Sequence, residues 1–401
     1  MHSRFRQLPG AVLALGVVSF LTDLSSEMIY PLLPLFLSTV LSAGALSLGV
    51  IEGVAESTAA VVKVLSGRWT DRAGRRKPFL LAGYSVSGLV RPLIGLASAW
   101  PVVLVLRFAD RVGKGVRSSP RDALIADVTP EHLRGSAYGL HRAMDHAGAV
   151  AGPLVAAGLL ALGLPLRTVF LLAIVPSVLV VAVILSAVKE PAATPPRPRG
   201  QASAAGGAAA PLGPEVRRLL LALGLFTLGN STDAFLLLRL SEAGLAPGSV
   251  ALVWAAHGVV KMVSTAWGGR LSDAWPRQKL IAAGWFFYAG IYLAFAMLSS
   301  LPALVAVFLA YGIYFGLTEP AEKALVSQLV PASRRGIAFG FYHGTMGLAA
   351  LPASLLFGAI WSWHSAAAAF SCGAALAAAA ALLLLAPLRG SQPSVPGAPG
   401  A

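Results

Sequence analysis

Twelve runs of apolar residues, each near the roughly 20 needed to cross a bilayer, fill the chain from residue 11 to residue 387 with little sequence between them. In lipid such a run can satisfy its own N–H and C=O groups only by coiling into a helix. The runs lie near 11–38, 47–66, 79–99, 101–127, 135–162, 166–188, 217–240, 248–268, 280–299, 301–329, 336–361 and 364–387, and we number them spans 1 to 12. The pattern predicts an all-α membrane protein of twelve transmembrane helices. Span 1 holds Asp23 and Glu27 and lacks a small-residue cleavage site, so it reads as a retained helix rather than a signal peptide.

The charge fits this reading. Of 401 residues, 56% are hydrophobic and only 12% charged, about half the charged fraction of a soluble domain. A net charge of +14 would suit a nucleic-acid binder, but its placement argues for topology instead. With the N-terminus in the cytoplasm, Arg4, Arg6, Arg68, Arg72, Arg75, Arg76, Lys77, Arg270, Arg277, Lys279, Arg334 and Arg335 all fall in loops of one side, against Arg167 on the other. That is the positive-inside bias. It predicts a plasma (inner) membrane protein with both termini cytoplasmic, in contact with anionic lipid and not with nucleic acid. Seven histidines and one cysteine, Cys372, show no metal-ligand spacing. No phosphate loop is present, so neither ATP nor another cofactor is expected.

The chain also repeats itself. Residues 67–77 read Gly-Arg-Trp-Thr-Asp-Arg-Ala-Gly-Arg-Arg-Lys, and residues 269–279 read Gly-Arg-Leu-Ser-Asp-Ala-Trp-Pro-Arg-Gln-Lys. Each turn follows a span. Phe20 to Glu27 matches Phe226 to Asp233, and Pro120 to Gly135 matches Pro320 to Gly336 with one insertion. Between the copies, residues 189–214 are rich in Pro, Ala and Gly, the composition of a connector. The expected organisation is a six-helix bundle over 1–188, a cytoplasmic linker over 189–214, a second bundle over 215–388 and a disordered tail over 389–401.

The pattern Gly67-x-x-x-Asp71-Arg72-x-Gly74-Arg75-Arg76 resembles the loop motif of the major facilitator superfamily between its second and third helices. The resemblance covers nearly the whole chain. It implies two pseudo-symmetric six-helix bundles around a central cavity, alternating access, spans 3, 6, 9 and 12 at the periphery, and a monomer. It also implies a conformational latch of Gly67, Asp71, Arg72, Gly74, Arg75, Asp127 and Asp273. Asp71 would sit at a helix N-terminus of the other half, where the dipole favours an anion, and Arg75 would pair with Asp127. The second copy keeps Asp273 but has Ala274 and Pro276 in place of Arg and Gly, so a weaker latch is expected there. Gly148, Gly152 and Pro153 resemble the family's antiporter motif on span 5, a helix-bend and close-packing site, although Ala156 and Ala157 replace its last glycines.

A charge within a span costs about 2.5–3.5 kcal/mol or more, so each such charge is a functional candidate. Asp23/Glu27 on span 1 and Glu52/Glu56 on span 2 are i, i+4 pairs, and Arg107, Arg111, Lys114 and Arg121 share one face of span 4. Opposed across a bundle these could be a structural ion network, or one carboxylate could couple protons to transport. Asp23, Glu27, Glu56 and Asp233 are the proton-coupling candidates. Tyr30, Glu52, Arg107, Arg111, Lys114, Arg142, Asn230, His257, Lys261, Glu319 and His343 are the substrate-cavity candidates. Arg91 is out of place, being a charge on a peripheral span.

The function expected is a secondary transporter that exports a small organic solute in exchange for protons. A proton symporter importing an anionic or zwitterionic nutrient, and a non-transporting sensor on the same scaffold, are the alternatives. An enzyme is not expected, because no nucleophile, base and orienting group converge.

Overall fold

The computed structural model describes residues 7–33, 36–42, 45–190, 213–231, 233–245 and 247–386. The expected linker and tail therefore lie almost wholly outside the described residues, as do Arg4 and Arg6. Every regular element among the described residues is helical. Spans 2, 3, 4 and 5 are the helices Ala45–Ala73, Lys77–Leu93, Trp100–Val128 and Arg134–Ala161. Spans 8 to 12 are Pro247–Ala274, Arg277–Met297, Leu301–Gln328, Arg335–Trp363 and Ala366–Leu385. Three spans are interrupted. Span 1 is helical over Gly10–Glu27 and then tightens and loosens through short turns, span 6 divides into Leu166–Leu172 and Ile174–Ala187, and span 7 into Pro214–Gly229 and Ala234–Glu242.

Among the described residues, eight helices are long and apolar enough to cross a membrane on length and composition alone, and spans 2, 4, 7 and 8 are not among them. Span 4 shows the reason most clearly. It carries Arg107, Asp110, Arg111, Lys114, Arg117, Arg121 and Asp122, and it belongs in the bilayer only because neighbouring spans enclose that face. Proline sits in the first turn of spans 3, 4 and 10, where its missing N–H costs nothing. Pro120 and Pro320 lie at matching places inside spans 4 and 10.

Packing follows the repeat. In the first half, span 1 lies on spans 5 and 6, and span 4 lies on spans 2 and 3. In the second half, span 7 lies on spans 11 and 12, and span 10 on spans 8 and 9. The halves meet along two seams, span 5 against span 8 and span 2 against span 11. Glycine makes both seams close. A Cβ on Gly269 would stand 2.6 Å from the Gly135 carbonyl oxygen, and one on Gly67 would overlap the Gly336 carbonyl. Both seams begin at the side of the repeated turns, here called the motif face. On the opposite side, the apolar cluster of Met28, Leu33, Phe36, Ile94, Val103 and Phe170 comes from the first half alone. The halves are thus joined at the motif face.

The interiors of the two halves differ. Where spans 3 and 4 bury arginines and Asp110, spans 9 and 10 bury Trp285, Tyr288, Tyr292, Tyr311 and Tyr314. These rings stack through Phe226, whose centroid lies 4.8 Å from Trp285 and 5.6 Å from Tyr314.

Candidate functional site

The motif face is held by two clamps of the same design. Asp71, at the end of span 2, accepts the backbone N–H groups of Gly336 (3.0 Å) and Ile337 (2.6 Å) at the start of span 11. Asp273, at the end of span 8, accepts those of Gly135 (2.7 Å) and Ser136 (2.8 Å) at the start of span 5, and the Ser136 hydroxyl as well (2.5 Å). Each carboxylate thus meets orphan N–H groups and the positive end of a helix from the other half. A weaker second clamp is expected from its altered turn, yet Asp273 accepts three hydrogen bonds from the opposite half where Asp71 accepts two, while the first clamp adds the Arg335–Asp127 pair across the halves. Gly74 closes the first turn with φ +65°, a conformation that suits glycine. The matching Pro276 instead sits at φ −58° ahead of span 9. The turns differ while the clamps persist.

The arginine in the first clamp also differs from expectation. Arg76, not Arg75, bonds Asp71 (2.5 Å) and Asp127 (3.3 Å), and Arg335 of the second half reaches Asp127 at 2.6 Å. Among the described residues Arg75 contributes only its carbonyl, which accepts from Thr70, and Arg72 is exposed. Burial pushes the Asp71 and Asp273 carboxyls above the ordinary carboxylate range, against the pull of their N–H partners.

Above the clamps lies a cavity of about 240 Å³ between the halves, with Asp23, Lys114, Arg117, Arg142, Glu319 and His343 in its wall. Span 5 comes close to span 1 here because Gly148 and Gly152 leave no side chain in the way. A Cβ on Gly148 would overlap the Phe20 carbonyl, and one on Gly152 would lie 2.6 Å from the Glu27 Cβ. That approach brings Asp23 into hydrogen-bond contact with Asp145. Asp145 also accepts from the Ser19 hydroxyl at 2.5 Å and from Arg142. Arg142 then crosses to the second half, where its guanidinium grips Glu319 with two bonds of 2.8 and 2.5 Å, the bidentate geometry that makes such pairs strong. Lower down, Asp122 is shared between Lys323 (3.0 Å) and His343 (2.8 Å) of the other half and Arg121 (3.1 Å) of its own.

Several sequence candidates lie elsewhere. Tyr30, Arg107 and Arg111 belong to a closed cluster and not to the cavity wall. Asp110, fully buried, takes Arg91 at 2.8 Å, Arg107 at 3.6 Å and the Tyr30 hydroxyl, and the Tyr30 ring lies 3.9 Å from the Arg107 guanidinium. This accounts for Arg91: it points inward from span 3 onto Asp110. His257 is 1% exposed, stacked on Phe308 and Tyr311 with Nδ1 3.0 Å from the Phe308 carbonyl, so it too is away from the cavity. Lys261 pairs with Asp233 at 3.9 Å over the Phe315 ring, and Tyr311 donates to Asp233 at 3.0 Å. Glu27 is near Lys114, Arg91 and Arg111. Asn230 lines a second, adjoining cavity of about 340 Å³ that shares Lys63, His343 and Met346 with the first. The side chains of Glu52 and Glu56 lie outside the described residues.

Two bundles related by an internal repeat, clamped at one face over a central polar cavity, have the build of a membrane transporter. The model of the Major Facilitator Superfamily matches residues 15–240 and 219–400, and the chain belongs to that superfamily. It is 33% identical to an MFS-type transporter of Methanocaldococcus jannaschii, over 95% of each chain. It is 26% identical to the multi-drug resistance efflux pump PmrA of Streptococcus pneumoniae, over 88% of this chain and 92% of the pump. Among solved structures it superposes on the human organic anion transporter MFSD10 with a TM-score of 0.80 at 18% identity, covering 94% of this chain and 99% of that one. It superposes on the E. coli fucose:proton symporter FucP at 0.77 and 14%, covering 93% and 97%. These two likenesses concern the fold.

Proposed function

We propose that the protein is a proton-coupled exporter of a small organic solute, working by alternating access in the plasma membrane with the motif face toward the cytoplasm. The observation that carries the coupling is the contact of Asp23 with Asp145 beside the Arg142–Glu319 bridge. A hydrogen bond between two carboxyl groups requires one of them to hold a proton, and this proton-holding pair adjoins the guanidinium that joins the halves. Arg142 is shared between Asp145 in its own half and Glu319 in the other. Loss of the proton gives Arg142 a stronger partner in its own half and weakens its grip across the cavity. Proton release and parting of the halves are thereby linked.

Export is supported by the full-length likeness to an efflux pump and by the close Gly148/Gly152 packing of span 5 on span 1. The placement of the motif face is supported by its basic loops. Span packing within each half supports the two bundles 1–188 and 215–388 moving as units, with 189–214 as the connector.

The test uses inside-out vesicles with an acidified lumen and a pH-sensitive dye. A transported compound should discharge the gradient with the wild type and not with Asp23→Asn or Asp145→Asn. Both variants should retain solute exchange between equal pools. Gradient discharge undiminished in both variants would refute the coupling.

A further inference from the structure

We infer that Lys323 is a positioning residue of the transport cycle. It holds Asp122 across the halves while the motif face is clamped, and it takes Glu319, on its own helix, when that face opens. This rests on the alternating-access reading above and names how the cavity's charges stay paired through it.

Two ionic bridges cross between the halves beside the cavity. One joins Arg142 of span 5 to Glu319 of span 10 at 2.5 Å, and the other joins Asp122 of span 4 to Lys323 of span 10 at 3.0 Å. Both break when the motif face opens. Their first-half members are already provided for. Arg142 holds Asp145 three residues along its own helix, and Asp122 holds Arg121 at 3.1 Å. The second-half members are not. Glu319 takes its ion pairs from Arg142 and from His146 (3.4 Å), both in the first half. Lys323 takes its ion pair from Asp122, with the Tyr138 ring of the same half 6.0 Å away. Among the described residues neither has an ion-pair partner in its own half.

Parting the halves therefore strands one anion and one cation. Both stand on the cavity wall, four residues apart on the helix Leu301–Gln328. Residues at that spacing share a helix face one turn apart, and a carboxylate N-terminal to an ammonium is the favoured order. A buried charge left single is costly, which drives the two together. Lys261, another second-half cation whose field reaches Glu319, is engaged by Asp233 at 3.9 Å over the Phe315 ring. That pair lies within one half and survives the opening. Opening thus exchanges two bridges between the halves for pairs within single helices.

The experiment reads spin-label distances across the motif face of the purified full-length protein, with labels at Ala73→Cys and Ser333→Cys in a Cys372→Ser background. Asp122→Asn removes the clamped-state partner of Lys323 and should add a population at longer distance. In that variant Lys323→Gln should lower the open-to-clamped ratio by about 2- to 10-fold, between the worth of an exposed helical pair and that of a charged hydrogen bond. With Glu319→Gln also present, Lys323→Gln should close the face less or not at all. A lysine that merely lost its bridge would close the face at least as strongly without Glu319, so the difference between the two backgrounds isolates the exchange. Lys323→Arg, which keeps the charge, should leave the open population of Asp122→Asn in place. Should Asp122→Asn fail to fold, the comparison is made in Asp273→Ala, where Lys323→Gln should again favour the clamped distance more with Glu319 than without it. No longer distance in Asp122→Asn, an opening effect of Lys323→Gln in that variant, or an equal or larger closing effect beside Glu319→Gln each overturns the inference. The proton-coupling reading fails separately, in the vesicle assay, because no arm of this experiment depends on a proton gradient.

Discussion

Replacing Asp273 by alanine should open the motif face as readily as replacing Asp71, although only the first turn carries the full family motif. Removal of Asp273 strips the partners from the N–H groups of Gly135 and Ser136 and from the Ser136 hydroxyl. Both residues are buried at the clamped seam, so water does not replace the carboxylate until the halves part. Each buried N–H left unmet costs about 1–3 kcal/mol. Two of them raise the clamped state by about 3 kcal/mol on a conservative count, a factor of roughly 150 in the equilibrium. A protein clamped about 99% of the time becomes nearly evenly divided. Asp71→Ala exposes the same number of backbone groups on span 11, and Arg76 keeps Asp127, so its effect should match within about 1 kcal/mol. Spin labels at Ala73→Cys with Ser333→Cys, and at Ala274→Cys with His132→Cys, in a Cys372→Ser background, report the two flanks. Both alanine variants should show a second, longer distance. A shift for Asp71→Ala beside an unchanged distribution for Asp273→Ala would refute the equivalence of the clamps.

Arg76→Ala should impair transport severalfold more than Arg75→Ala, measured side by side in vesicles, because Arg76 alone of the two holds Asp71 and Asp127; equal losses would contradict this. Arg91→Ala should lower stability by about 3–5 kcal/mol by leaving Asp110 buried without its nearest cation, seen as a Tm drop that Arg91→Ala/Asp110→Asn partly reverses. The pH response of the clamps has a definite sign. Burial raises the Asp71 and Asp273 carboxyls above 3.8 in the clamped form, so that form binds protons more readily than a solvated carboxyl, and acid favours clamping as pH falls through the raised values. Spin-label distances at pH 7 and pH 4.5 should show the wild type opening no more in acid than the Asp71→Ala/Asp273→Ala variant; a larger acid-induced opening of the wild type would contradict the sign.

The architecture was legible because its cause is local. Apolar length sets a span, and the repeated Gly-x-x-x-Asp marks matching turns in the two halves; the placement of Asp71 at a helix start of the opposite half came from the resemblance of its turn to the family's loop motif. What escaped the sequence depends on how one helix face meets another. The choice of Arg76 over Arg75 is set by the turn at Gly74, which directs alternate side chains to loop and seam. Asp145 was visible as a buried charge three residues after Arg142, but its contact with Asp23 depends on how closely Gly148 and Gly152 let span 5 approach span 1. The same holds for Asp122 and Lys323, which meet only when both halves are assembled. Arg107, Arg111 and Tyr30 have the residue types of a cavity and are enclosed instead, because Asp110 draws Arg91, Arg107 and the Tyr30 hydroxyl together and Glu27 lies near Arg111. The persistence of the second clamp was hidden by Ala274 and Pro276, which alter the turn and leave Asp273 in place.

The two clamps sit on opposite flanks of one opening, and this governs what release of a single one achieves. Each carries its own share of the load, so loss of either lowers the cost of parting the whole face. The gate behaves as a pair of parallel fasteners whose strengths add.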